Sequence, residues 1–328
     1  MKKAAPYLIN LLVVVGLFAV IQVLIATEVL NAYYARMLTP LCINVILAVS
    51  LNLVCGYMGQ LTLGHAGFMS VGAYAGAVFT INVTAIHGLP GWVQLLLAML
   101  VGGVLAAVVG VLIGIPALRL KGDYLAIMTL GFGEIIRVVF ESLEITGGGR
   151  TLSAESLTTF PMLYWTAVLT IVVVYTFIYS RHGRAVTSIR EDEVASESSG
   201  IHITYYKVLA FAIAAGLAGI AGALYSHSNS IVPRKFDFNM SIDILIYVVL
   251  GGMGSITGAV IAASVLSLLP ELLRDFNDYR MVVYALLLIV MMVFRPGGLL
   301  GKYEFSLSRL LGLKGPRRSR KQRAKEDA

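Results

Sequence analysis

Residues 161–226 read PMLYWTAVLTIVVVYTFIYSRHGRAVTSIREDEVASESSGIHITYYKVLAFAIAAGLAGIAGALYS. Two apolar runs, Pro161 to Tyr179 and Lys207 to Ser226, enclose an island from Arg181 to Gly200 in which acids and bases crowd together. Each run approaches the roughly 20 residues that a helix needs to cross about 30 Å of hydrocarbon. The island then lies at one face of a membrane, between two spans.

The rest of the chain extends this pattern. Of its 328 residues, 58% are hydrophobic and 13% are charged, about half the roughly 25% charge of a soluble domain. The mean hydropathy is +0.84. The 33 glycines favour helices over a barrel, because small residues let membrane helices approach closely. A barrel would show segments of about 10 residues with period-2 alternation, and none appear. The expected fold is an all-α, polytopic transmembrane protein with about 8–10 spanning or half-spanning segments.

The net charge of +7 is mostly one tail. Lys314, Arg317, Arg318, Arg320, Lys321, Arg323 and Lys325 stand there against Glu326 and Asp327. A basic tail just past an apolar segment reads as a cytoplasmic anchor obeying the positive-inside rule, in contact with membrane lipids rather than nucleic acid. Cys42 and Cys55 make neither a metal spacing nor a disulfide framework.

Along the chain, Lys2 and Lys3 precede an apolar run from Tyr7 to Ala26. It exceeds the roughly 7–15 apolar residues of a cleaved signal peptide, so it reads as a retained first span with its N-terminus inside. Further spans are expected at Met37–Cys55, Phe68–Val83, Trp92–Leu118, Tyr124–Phe140, Pro161–Tyr179 and Lys207–Ser226. Starting inside, the second, fourth and sixth crossings return the chain to the cytoplasm, the last two beside Arg119 and Lys121 and beside Arg181. The loop at 181–206 is therefore cytoplasmic. Residues 1–300 form the transmembrane domain and 301–328 the basic cytoplasmic tail.

Parity tests this scheme in the last third. After Lys207–Ser226 the chain is outside, and two further single crossings would leave the tail outside as well. GGMGS, Gly251 to Ser255, offers a resolution. It splits the apolar stretch 241–270 into a re-entrant pair, or two short half-helices that enter and leave on the same side. Met281–Phe294 then returns the tail to the cytoplasm. Non-helical backbone at such depth is tolerated only where protein or a water-filled cavity surrounds it.

Within the island, Thr187 to Ser199 has the pattern of one short amphipathic helix, and Gly200 supplies a stop. A solvated connector needs only a few residues; the alternative is a docking surface for a soluble partner. A resemblance favours docking. RHGRAVTSIREDEVASESSGI followed by YYKVLAFAIAAGLAGIAGAL resembles the cytoplasmic loop and next helix of branched-chain amino-acid ABC importer permeases, in particular the LivM-type subunit. LNLVCGYMGQLTLGHAGFMSVGAYAGA (Leu51–Ala77), LRLKGDYLAIMTLGFGEIIR (Leu118–Arg137), VVLGGMGSITGAVIAA (Val248–Ala263) and FRPGGLLG (Phe294–Gly301) extend the resemblance in order. It implies that the loop inserts as a coupling helix into a groove on an ATPase. Arg184, Arg190, Glu191, Asp192, Glu193, Ala195 and Gly200 are the expected coupling residues. Glu193, Ala195 and Gly200 fall where the importer signature of Glu-Ala-Ala and a following glycine would lie, with Val194 replacing the first alanine and the glycine one residue late.

No G-x-x-x-x-G-K-[ST] stretch is present. GGMGS lacks the lysine that would reach the terminal phosphates, and TGGGRT fails likewise. The chain is read as a transport-path subunit rather than an enzyme, with no cofactor of its own and ATP held by partner subunits.

Polar residues inside spans are functional candidates. Glu134 and Arg137, three apart on one helical face, read as a structural pair. Gln60, Thr62 and His65 form a polar lining in one reading; a buried, hydrogen-bonded histidine is the plainer account of His65. It has no companion at metal-ligand spacing, and no metal site is expected. The break at Gly251, Gly252, Gly254 and Ser255 is the other path candidate, since helix ends and exposed backbone can meet a zwitterion's ammonium and carboxylate.

The resemblance implies a subunit in a bacterial inner membrane, with both termini cytoplasmic. It would pair with a homologous second permease, two ABC ATPases and a periplasmic or extracytoplasmic solute-binding protein. Leucine, isoleucine and valine are the implied substrates; urea or short amides would use the same architecture. An ion-coupled secondary transporter would need more acids deep in the bundle and an internal repeat. For an intramembrane enzyme, Ser255 lacks a Gly-x-Ser-Gly setting and Asp123 a facing aspartate.

Overall fold

A computed structural model of the chain describes residues 5–27, 32–83, 88–120, 122–273, 279–294, 297–299 and 301. Lys2, Lys3, Lys121 and the basic tail lie outside the described residues. Within them the chain is helical, and the one pairing of extended backbone is an isolated bridge between Leu152 and Ile231. Among the described residues, four helical stretches are long and apolar enough to cross a membrane: Arg36–Tyr57, Gly91–Ala117, Phe160–Tyr179 and Ile203–Ser226. The protein is an all-α, polytopic membrane protein.

Helix α1 (Ala5–Ala26) belongs to a separate unit of the chain. It is apolar on every side, as a helix surrounded by lipid or other apolar elements must be. The larger unit begins with α2 (Ala32–Asn52), which widens into a π turn over Leu53–Tyr57. Residues 58–64 then run without helix to α3 (His65–Asn82). α4 (Gly91–Ala117), α5 (Asp123–Ser142) and α6 (Phe160–Tyr179) follow. The glycine-rich connection after α5 holds only a short 3-10 turn at Glu144–Thr146, and Gly147, Gly148 and Gly149 all have positive φ.

The centre of the bundle is α3, α4 and α9 (Ile203–Ser226) in close contact. Glycine makes that approach possible. A Cβ on Gly102 would lie 2.7 Å from the Gly72 carbonyl oxygen, and one on Gly103 would lie 2.9 Å from Ile220 Cγ1. A Cβ on Gly222 would collide with the Met69 carbonyl, and one on Gly72 with Gly219. In lipid, such packing is a main source of helix association, because no apolar surface leaves water when two spans meet.

The expected break is present. α10 (Phe238–Gly251) and α11 (Ile256–Leu272) are joined by a turn in which Gly252 and Gly254 have φ of 106° and 91°. Gly251 and Gly258 let the two backbones touch. At 1.5 Å per residue α10 is only about 21 Å long, short of a full crossing. α12 (Arg280–Phe294) follows, and beyond it the Leu299 N–H donates to the Leu250 carbonyl at 2.6 Å. The end of α12 thus lies beside the end of α10.

The ends of the helices sort into two sets. At one lie the π turn, the α10–α11 turn and the start of α9. At the other, Thr80 near the end of α3 meets His227 just past α9 at 3.0 Å. Burial, partly offset by a bond to the Ala223 carbonyl, pulls the His227 pKa below its ordinary value. Near this second end the Leu152–Ile231 bridge and a 2.8 Å Ser153–Ser230 contact join the two long connections. α10 and α11 lie side by side as a hairpin whose joining turn is at the first of these ends.

Candidate functional site

The charged island folds as two helices, not as the single Thr187–Ser199 helix expected. α7 spans Arg181–Glu191 and α8 spans Glu193–Ser198. Asp192 separates them: it has extended backbone and its carboxylate accepts from the Val194 and Ala195 N–H groups at 2.9 and 3.0 Å. An aspartate that caps a new helix cannot also continue the old one. Ser180 caps α7 in the same manner. Gly200, at φ 82°, ends α8; its N–H bonds Glu197 and the Ile201 N–H bonds Ser196, a Schellman closure.

The inner face of this pair is anchored. Gly183, Val186 and Ile189 are buried. The Arg190 guanidinium donates to the Gly56 carbonyl in the π turn, and the Lys207 ammonium at the start of α9 is paired with Glu193. Lys207 is 3% exposed, which only a close counter-charge makes tolerable. Arg184 bonds the Tyr179 carbonyl at 3.2 Å. The outer face carries Glu191, Asp192, Ala195, Glu197 and Gly200, together with Val194, whose side chain is 74% exposed. Of the expected coupling residues, Arg190 and Glu193 thus turn toward the bundle and the others remain outside.

The α10–α11 turn lies against the same region. Asn52, fully buried at the end of α2, donates to the Ser255 carbonyl and accepts from the Gly254 N–H, both at 2.9 Å. Ser255 caps α11 through the Gly258 N–H at 3.0 Å. Gly298 and Gly301 pack on Gly252 from the other side. The Gly254 N–H and the Ser255 carbonyl are thus taken up by Asn52.

Thr62 and His65 are buried, and Gln60 is half-buried with its N–H on the Val54 carbonyl at 3.1 Å. His65 Nε2 lies 2.8 Å from the Ser50 hydroxyl, so the imidazole joins the start of α3 to α2. Beside it the Ala66 N–H meets the Ser241 hydroxyl of α10 at 3.2 Å. The beginnings of two helices therefore converge within the bundle, next to α5. A small recess with room for about one water molecule opens there, lined by Leu63, Leu130, Phe238, Glu134, Asp237 and Ser241, among others. Glu134 Oε2 is 2.7 Å from Arg137 Nε, and Arg137 is 3.2 Å from Glu141. These three charged side chains retain 34%, 22% and 35% exposure on the flank of the bundle. Lipid is a poor neighbour for them; water or another protein chain is a good one.

Comparison with known proteins adds a second line of evidence. A family profile described as "Branched-chain amino acid transport system / permease component" matches residues 33–292. The high-affinity branched-chain amino acid transport system permease protein LivM of Salmonella typhimurium is 39% identical over 300 residues, covering 80% of this chain and 68% of that protein. LivM of Escherichia coli K12 is 39% identical over 296 residues, covering 79% and 68%. The permease protein LivH of Escherichia coli K12 is 24% identical over 283 residues, covering 79% and 91%. No solved structure matches.

Proposed function

Because the chain belongs to the branched-chain amino acid transport permease family, we propose that it is the transmembrane path subunit of an ATP-driven importer of leucine, isoleucine and valine. It sits in the bacterial inner membrane with α7–α8 and both termini on the cytoplasmic side. A homologous second permease completes the path, two ATPase subunits bind and hydrolyse ATP, and an extracytoplasmic binding protein delivers substrate. The chain itself is no enzyme. Residues 1–300 form the path and 301–328 a basic tail that holds the anionic inner leaflet.

The observation that carries this reading is the two-faced α7–α8 pair. Its inward polar groups are committed to the bundle through Gly56 and Lys207, while Val194 stands exposed among acids at an end of the molecule. An exposed apolar side chain between fixed charges suits insertion into a groove on a soluble subunit. The substrate passes along the α5 flank. There Glu134, Asp237 and Ser241 stand beside Leu130 and Phe238, and their oxygens can accept hydrogen bonds from a zwitterion's ammonium.

Val194→Asp is expected to reduce co-purification of the ATPase about ten-fold or more. The stability of the chain itself should change by no more than about 0.5 kcal/mol, as for other exposed substitutions. Undiminished co-purification would remove α8 from the docking surface. Orientation is checked separately. A cysteine introduced as Glu197→Cys should react with a membrane-impermeant maleimide in inverted vesicles and remain unlabelled in right-side-out ones.

A further inference from the structure

Arg190 does more than hold α7 down. Its side chain crosses a groove floored by three glycines. A Cβ on Gly59 would lie 2.8 Å from Arg190 Cγ, one on Gly254 would lie 3.2 Å from its Nη1, and the guanidinium bonds the Gly56 carbonyl. Gly59 and Gly254 have φ of 74° and 91°, a region that L side chains rarely occupy. One turn back along α2, Asn52 bridges the Gly254 N–H and the Ser255 carbonyl. Ser255 in turn caps α11. A contiguous run of contacts thus leads from α7 to the tip of α10–α11: Arg190 bonds the Gly56 carbonyl, the Asn52 amide and the Gly254 N–H crowd against Gly56, and Asn52 bonds that N–H and the Ser255 carbonyl. Those two helices are short and hinge on two positive-φ glycines. π turns are a frequent site of functional adjustment within helices.

We infer that Arg190 and Asn52 are positioning residues for coupling: movement of α7 by the ATPase is passed through Gly56 and Asn52 to the α10–α11 tip. This rests on the proposed importer function, and it assigns Arg190 to transmission rather than to the ATPase contact. Neither residue touches substrate or nucleotide in this role. The physical requirement is a contiguous set of groups with two arrangements, biased from one end.

The test uses the assembled importer in proteoliposomes, with radiolabelled leucine supplied on its binding protein, and measures leucine uptake per ATP hydrolysed. In Arg190→Ala and Asn52→Ala the ATPase should stay bound and continue to hydrolyse ATP, while uptake per ATP falls about ten-fold, within the usual range of coupling effects. Arg190→Lys, which keeps a charged donor for the Gly56 carbonyl, should recover most of the ratio. A ratio equal to that of the wild type in both variants overturns the inference. So does a proportional loss of uptake, hydrolysis and bound ATPase, which would reveal only a role in assembly or folding. If the wild-type chain captures no ATPase at all, the importer function itself fails, and the transmission role fails with it.

Discussion

Gly222→Ile is expected to yield no correctly folded protein. On α9, a Cβ at this position would fall on the Met69 carbonyl and 2.8 Å from the Ala73 N–H, both part of the α3 backbone. Overpacking a core ordinarily costs about 1–3 kcal/mol because side chains yield. Here the obstacle is main chain, which has no rotamer to change. Relief would require α9 to move away from α3, and the contact of Gly72 with Gly219 would open with it. Against a total stability of about 5–15 kcal/mol, loss of a whole helix interface is decisive. The measurement is size-exclusion chromatography of the detergent-solubilised chain, where the variant should aggregate. Gly131→Ala is the control: nothing lies within 4 Å of its Cβ position, and the protein should stay monodisperse. A monodisperse Gly222→Ile chain would refute the packing scheme.

Glu193→Ala should destabilise the chain by about 3 kcal/mol, the low end for breaking a buried pair because Glu193 is itself 23% exposed. The loss comes from Lys207, whose ammonium would remain buried without its carboxylate. Lys207→Met should cost much less, since it removes the charge that needs a partner and leaves the more accessible Glu193 to water. The double variant should recover most of the stability lost in Glu193→Ala. Thermal unfolding of the three variants decides the matter. If Glu193→Ala alone matches the double variant, the pair has no stabilising role.

Much of this architecture was legible before any coordinates. Twenty-residue apolar runs announce membrane helices, GGMGS announces a break that regular helix cannot span, and Gly200 announces a helix stop. The three-residue spacing of Glu134 and Arg137 implies the contact that they make at 2.7 Å. Asp192 was misread for a physical reason. Amid so many charges it looks like one more residue on a solvated face, although an aspartate just before Val194 and Ala195 also carries a capping signal. Asn52 left no trace at all. A single asparagine in an apolar run does not reveal that its partners lie about 200 residues away. For the same reason the neighbours of the GGMGS turn could not be read from the stretch itself. The groups that occupy it, from Asn52 on one side and Gly298 and Gly301 on the other, are remote in sequence. The recess beside α5 depends on two helix beginnings meeting, which no local pattern encodes.

The glycine contacts among α3, α4 and α9 bear on how this molecule can move. Side-chain layers slide by exchanging rotamers, but a carbonyl resting on an α-carbon has no second resting place nearby. These three helices form a stator. The α10–α11 hairpin, closed on itself at Gly251 and Gly258, is a rotor of one piece. Hydrogen bonds tie it to α3 at the Ser241 hydroxyl and to α2 at Asn44 and Asn52.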